Sequence, residues 1–162
     1  MTAPVEIKAA AIEAAQSADA LDIVKLRYLC YQEEAARYGD YTIAPLTQTV
    51  ESMSAEIGSM TVLVARLGGT VVGSVRAQAT GSTCHLGRLV VHPRCRRRGL
   101  GARLVLAIAE RFPHVARIEL FAGGRSTDNL RLYAALGFRE VRRERVSDLL
   151  EMVYLQKVVR SA

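Results

Sequence analysis

At 162 residues, half of them hydrophobic, the chain fits one domain that needs no disulfide or metal staple; its cysteines (Cys30, Cys84 and Cys95) lack CxxC or Cys/His spacing and read as reduced thiols. No apolar run approaches the roughly 18 residues that cross a bilayer, and the N-terminus, with only Lys8 between Glu6 and Glu13, lacks a basic-then-apolar leader, so a soluble cytoplasmic protein with no membrane partner is expected. The net charge of +6 divides into −3 over residues 1–81 and +9 over residues 82–162, which points to an anionic ligand held by the second half, either a nucleic acid or a phosphorylated small molecule.

Val5 to Ala11 alternates loosely and predicts a first strand. Ser17 or Asp19 is the expected cap of a helix whose apolar positions Leu21, Val24, Leu26, Leu29 and Cys30 fade before Gly39. Asp40 to Thr47, with Pro45, reads as a loop, and Thr49 to Ile57 as a second helix ended by Gly58. The periodicity then changes. Thr61 to Leu67 and Thr70 to Ala79 are β-branched runs joined by the hairpin signal Gly68-Gly69. A turn at Gly81-Ser82 leads to a third strand, Thr83 to His92, stopped by Pro93, so the three form an antiparallel meander. A helix follows from about Gly99 to Phe112, with Leu100, Leu104, Val105 and Ile108 as its buried stripe. Arg117 to Ala122 is a strand broken by Gly123-Gly124. Thr127 to Leu136 is a helix capped by Ser126 or Thr127 and stopped by Gly137; Phe138 to Val146 and Leu150 to Val158 are the last strands. No internal repeat or linker divides the chain.

The most informative segment is Leu89 to Leu104: strand, proline stop, basic glycine turn, helix. The first turn of a helix leaves backbone N–H groups without intrahelical partners, and with the helix dipole they bind phosphate oxygens. Gly99 and Gly101 let a diphosphate approach the main chain between Leu100 and Ala102, and Arg96, Arg97 and Arg98 add charges that fork onto phosphate. A GK[ST] ending is missing, which argues against a Walker loop, and the GLG of residues 99–101 lacks the third glycine of a dinucleotide fingerprint. No zinc finger or aromatic platform accompanies the arginines, so a nucleic-acid partner ranks last.

The stretch VVHPRCRRRGLGARL resembles the signature of the GNAT superfamily of acyl-CoA N-acyltransferases, [QR]-x-x-G-x-[GA], here Arg96-x-x-Gly99-x-Gly101. The stretch STDNLRLYAALGF resembles that superfamily's second motif, with Asn129, Tyr133 and Gly137-Phe138 at its positions; Asn129 and Tyr133 stand four apart, where seven is commoner. The order of elements is similar over nearly the whole chain. The resemblance implies an α/β (α+β) fold with a mixed, mostly antiparallel sheet of six to seven strands flanked by about four helices. It also implies an N-acetyltransferase that uses acetyl-CoA as co-substrate, no metal, and a small-molecule or peptide amine as acceptor. A homodimer is the one assembly entertained.

By the same resemblance, the pantetheine arm lies along the strand Leu89-Val90-Val91 like an added strand, and a backbone N–H near Leu89 or Val91 holds the oxyanion. Tyr133 would protonate the departing thiolate, and Asn129 would lie near the pantetheine. His85 would act as base; by two-residue alternation it shares a face with Gly87, Leu89 and Val91 unless a bulge intervenes. Glu33, Glu34 and Glu119 are further carboxylates of interest. Cys95, with no acid–base partner nearby in sequence, is a poor candidate for an acyl-cysteine intermediate. One wall of the acceptor site would come from the first helices, with Tyr28, Tyr31, Tyr38, Tyr41, Glu33, Glu34 and Asp40, a set suited to a cationic amine. The competing reading of a different class is a non-catalytic acyl-CoA sensor or scaffold.

Overall fold

In the computed structural model, which describes residues 9–159, seven strands form one sheet in the order β1-β2-β3-β4-β5-β7-β6. The strands are β1 (Ala11–Ala14), β2 (Thr61–Leu67), β3 (Thr70–Thr80), β4 (Thr83–Val91), β5 (Arg117–Gly123), β6 (Arg139–Arg145) and β7 (Glu151–Val158). The helices are α1 (Ala20–Tyr38), α2 (Ala44–Thr47), α3 (Val50–Ser59), α4 (Leu100–Glu110) and α5 (Thr127–Ala135). All neighbouring strands are antiparallel except β4 and β5, which run parallel.

The meander follows from its turns. Gly68 and Gly69 both take positive φ, 58° and 84°, which a two-residue hairpin loop of matching twist requires. Strand alternation then sends side chains to two cores. Leu63, Ala65, Val75 and Ala77 pack with Leu104 and Ile108 of α4 on one face. Val62, Val64 and Val90 pack with Ile23 and Leu26 of α1 and Met53 of α3 on the other. Leu104 and Ile108 are fully buried, and such burial stabilises by about 1.5–3 kcal/mol per side chain.

Four expectations are corrected. The first strand begins at Ala11; the predicted stretch of residues 5–8 lies outside the described residues. The expected loop after Gly39 contains the short helix α2, whose first turn takes Pro45 without loss because an N–H there has no helical partner. Gly58 lies inside α3, which runs on to Ser59. Asp19 occupies the N-cap position of α1, yet its carboxylate makes no cap bond; it receives Arg66 at 2.7 Å on both oxygens and the Gln16 N–H at 2.8 Å, tying the start of α1 to β2.

Candidate active site

β4 and β5 pair only from Thr83 to His85 with Arg117 to Glu119, then diverge. Within the diverging part β4 carries a bulge: Arg76 faces Gly87 and Ser74 faces Val90, so two residues of β4, Arg88 and Leu89, share one position on β3. Arg88 takes φ 54°, a conformation non-glycine residues seldom adopt. The bulge reverses the expected parity. His85 and Gly87 lie on the α1 face with Val90, whereas Leu89 and Val91 pack against the α4 core. Below the bulge, the His92 N–H donates to Val72 O at 2.8 Å, so by alternation the amide groups of residues 89 and 91 face the opening toward β5. One half of that expected edge is taken, since Val91 O accepts from Arg96 Nε (3.0 Å) and from the Cys30 thiol (3.4 Å).

The opening is a cavity of about 860 Å³ that runs from His85 and Arg88 past Leu89 to Gly99, Leu100, Gly101 and Ala102. Gly99 is the N-cap of α4 with φ 82°; the first helical bond runs from Arg103 N–H to Gly99 O at 3.0 Å, leaving the amides of residues 100–102 for a ligand. The two glycines have different reasons. A Cβ on Gly99 would meet nothing, so its need is conformational, whereas a Cβ on Gly101 would lie 3.2 Å from Leu132 Cδ2, so its need is the packing of α4 on α5.

The three adjacent arginines also separate. Arg96 is a strut, holding Val91 O and Glu33 (2.7 Å) and so fastening the turn to α1. Arg97, with φ 63°, is exposed and reaches Asp128 on α5 at 3.9 Å. Arg98 is exposed outside the cavity lining. Cys95 is buried in the cavity wall, and Cys30 is held as a thiol by burial, which outweighs the nearby Arg96.

Across the cleft, Tyr133 is buried against Phe138 and lines the cavity, with Asn129 one turn earlier. Burial, with Tyr31 and Glu34 close by, pushes the Tyr133 phenol above its ordinary range, so it stays protonated. Glu34 is held by Ser126 Oγ (2.8 Å) and by Arg37. Ser126 in turn shares a 2.8 Å hydrogen bond with Tyr38, whose hydroxyl accepts the Arg125 N–H at 2.9 Å. Gly123 makes this crossing possible, because a Cβ there would lie 2.1 Å from the Tyr38 hydroxyl. Sequence spacing reads Ser126 as a helix cap; it is the N-cap of α5, but its oxygen serves α1 instead. Nothing local signals that, because its partners lie 88 and 92 residues away.

His85 sits on the cavity floor at the β4–β5 junction, half exposed, with Nδ1 3.9 Å from Glu119. Of the expected acceptor wall, Tyr31, Tyr38, Glu33, Glu34 and Asp40 line the cavity, while Tyr28 and Tyr41 are exposed outside it. Glu33 is paired with Arg96 and Glu34 with Arg37 and Ser126, while Asp40 accepts from Thr42. Sequence reasoning missed the floor behind them: Arg27 of α1, fully buried, donates to Glu56 of α3 at 2.7 Å and to Gln48 at 2.9 Å, and Arg76 of β3 pairs with the other Glu56 oxygen. Among the described residues no His/Cys/Asp/Glu group could hold a metal ion, and no helix is long and apolar enough to cross a membrane.

Residues 31–159 match the family model described as an acetyltransferase (GNAT) domain. No curated protein sequence matches the chain. Among solved structures, the chain is similar to the PaiA N-acetyltransferase of Thermoplasma acidophilum in complex with coenzyme A, at TM-score 0.78 and 15% identity over 93% of this chain and 99% of that one. It is similar to the ribosomal-protein-S18-alanine N-acetyltransferase of Escherichia coli, at TM-score 0.77 and 16% identity over 94% and 96%. An acetyltransferase of the GNAT family from Streptococcus pneumoniae gives TM-score 0.73 and 19% identity over 93% and 99%.

Proposed function

The chain belongs to the GNAT acetyltransferase family, and we propose that it transfers an acetyl group from acetyl-CoA to a primary amine by direct attack in a ternary complex. The observation that carries this reading is one continuous cavity joining the diverging β4–β5 edges to the first turn of α4. That shape suits a ligand with an extended amide-bearing arm and a diphosphate, and a CoA complex of a structural relative supports it.

The amine loses its proton and forms the N–C bond to the thioester carbonyl; the C–S bond then breaks, and the thiolate takes a proton. Amides of residues 100–102 hold the diphosphate, with Arg97 as the added charge at the mouth. The inward N–H groups of Leu89 and Val91 stabilise the oxyanion, since Val91 spends only its carbonyl on Arg96 and Cys30. Tyr133 donates the proton to sulfur: its burial keeps the phenol neutral and protonated through the neutral range. His85, with Nδ1 3.9 Å from Glu119, takes the amine proton on the acceptor side.

Tyr133→Phe tests the assignment. Acetyl-CoA should bind with unchanged affinity by calorimetry while kcat falls about 100-fold, to the same extent from pH 7 to 9 because the wild-type phenol stays protonated throughout. Unchanged turnover would remove Tyr133 from the mechanism, and loss of acetyl-CoA binding would make it a wall residue only.

A further inference from the structure

Three guanidinium groups converge on the α1 side of the cavity floor around one carboxylate. Glu56 is shared by Arg27 and Arg76, and it has no third oxygen for Arg88. Arg88 instead lies over the Tyr31 ring, 6.0 Å from its centre, and no carboxylate of the described residues lies within ion-pair distance of it. Burial pushes the Arg88 guanidinium down from its ordinary value, with Arg76 and Arg27 acting in the same direction and Tyr31 and Glu56 only partly opposing them. Three guanidinium groups around one carboxylate leave a half-buried excess of positive charge, which a second anion would relieve.

Three further features aim this charge at the acceptor. Arg88 occupies the bulge at φ 54°, directly before Leu89, whose amide faces the cleft. Gly87 leaves Arg76 uncovered, since a Cβ there would come into van der Waals contact with Arg76 Nε at 3.9 Å. On the facing wall Glu33 and Glu34 are already neutralised by Arg96 and Arg37, and Asp40 is turned to Thr42, while the charge of the floor itself is positive. Arg88 also lies on the opposite face of the sheet from α4, away from the turn that holds the diphosphate.

We propose that the acceptor is a small amine that itself carries a carboxylate, such as a free amino acid, with the carboxylate forked by Arg88 and backed by Arg76. This rests on the transferase reading above. It replaces the cationic acceptor that the acids of α1 suggested. Arg88 and the Leu89 amide are consecutive on β4, so the carboxylate and the attacking nitrogen belong to one short molecule or one chain end. Phe121, exposed on the floor side of β5 beside Tyr154, offers an apolar surface to the rest of that molecule.

The test is thiol release from acetyl-CoA with amino acids, their decarboxylated amines, polyamines and aminoalkylphosphonates as acceptors. For the best amino acid, kcat/KM should exceed that of its decarboxylated amine at least about tenfold, the scale of one charge-assisted hydrogen bond. Arg88→Met should raise KM for the amino acid by a similar factor and compress the preference, and Arg88→Lys should restore part of it. As a check independent of that variant's folding, the wild-type protein with CoA should bind the N-acetyl amino acid more tightly than the N-acetyl amine in calorimetry. Equal turnover of decarboxylated amines or polyamines, or a preference for phosphonates, would overturn the carboxylate subsite while leaving the transferase standing. Thiol release that no amine in the panel raises above the rate with water alone would overturn both.

Discussion

Two groups of arginines serve this molecule, and they are built in opposite ways. Arg96, Arg97 and Arg98 are consecutive in the chain, yet the fold scatters them to a strut, a bridge toward α5 and an exposed position. Arg27, Arg76 and Arg88 come from α1, β3 and β4, yet the fold gathers them around Glu56 and Tyr31. The difference teaches that adjacency in sequence specifies a backbone geometry better than a set of side-chain roles. In the proposed reading the turn binds through amides that Gly99 and the start of α4 expose, with exposed Arg97 as added charge. The floor works through side chains whose positions only the tertiary structure sets.

The harshest way to break the comparison is to remove the centre of the gathered group. Glu56→Ala leaves Arg27, fully buried and already with one unpartnered nitrogen, facing Arg76 without a counter-charge. The expected loss is about 3–5 kcal/mol of folding stability, read from urea denaturation, because breaking a buried pair strands the remaining charge. Burial alone would raise the Glu56 carboxyl, but Arg27 and Arg76 outweigh it and hold it below the usual carboxylate range. Its contribution is therefore complete above the unfolded value of about 4.3 and is lost as pH falls through the lower folded value. Wild-type stability should drop steeply in that acid window and Glu56→Gln should show a shallower slope. A variant melting like wild type would mean that the floor does not depend on Glu56.

A milder change acts on the other group. Gly99→Ala places a Cβ where nothing obstructs it but at φ 82°, so the effect is conformational, on the order of 1–2 kcal/mol. KM for acetyl-CoA should rise about tenfold by the same measure, with the ranking of acceptors unchanged, since donor turn and acceptor floor share no side chain. A changed acceptor ranking would show that the two regions are coupled. Gly101→Glu is the weaker probe, because its side chain would first have to displace Leu132.

This division also explains what could be read from the chain alone. The meander, α4 and α5 are written locally, in the paired glycines at 68–69, the apolar stripe from Leu100 to Ile108 and the stop at Gly137, whose φ of 94° is the left-handed conformation a helix end uses. The GNAT fold expected from the two motifs is the one found, with seven strands and five helices where about four were expected; the extra one is the four-residue α2. The facing of His85 was not legible, because a single inserted residue at Arg88 reverses every side chain beyond it and nothing in LGRLVV marks the insertion. The roles of Ser126, Glu56 and Arg88 were hidden for a similar reason: each is defined by partners on other elements.

The smallest expected effect lies where the two walls of the cleft meet. Ser126→Ala removes the hydroxyl that joins Glu34 to Tyr38: Ser126 donates its proton to Glu34, so it is the acceptor of the Tyr38 O–H. Glu34 keeps Arg37, the Tyr38 oxygen keeps the Arg125 N–H, and the freed Tyr38 O–H turns to water in the cavity that both residues line. The cost should therefore be that of one ordinary hydrogen bond, about 1 kcal/mol in thermal or urea unfolding, and not the larger penalty of an orphaned buried group. Tyr38→Phe supplies the contrast, since it deprives both Ser126 and the Arg125 amide of a partner and should cost more than Ser126→Ala. The functional effect should follow the freed carboxylate. Glu34 is close enough to Tyr133 to raise its phenol, so loosening Glu34 should lower kcat a few-fold with KM for acetyl-CoA unchanged. If Ser126→Ala instead costs as much as Tyr38→Phe, the serine is the keystone of the crossing, and the wall carrying Tyr133 depends on α1 for its position rather than on α5 alone.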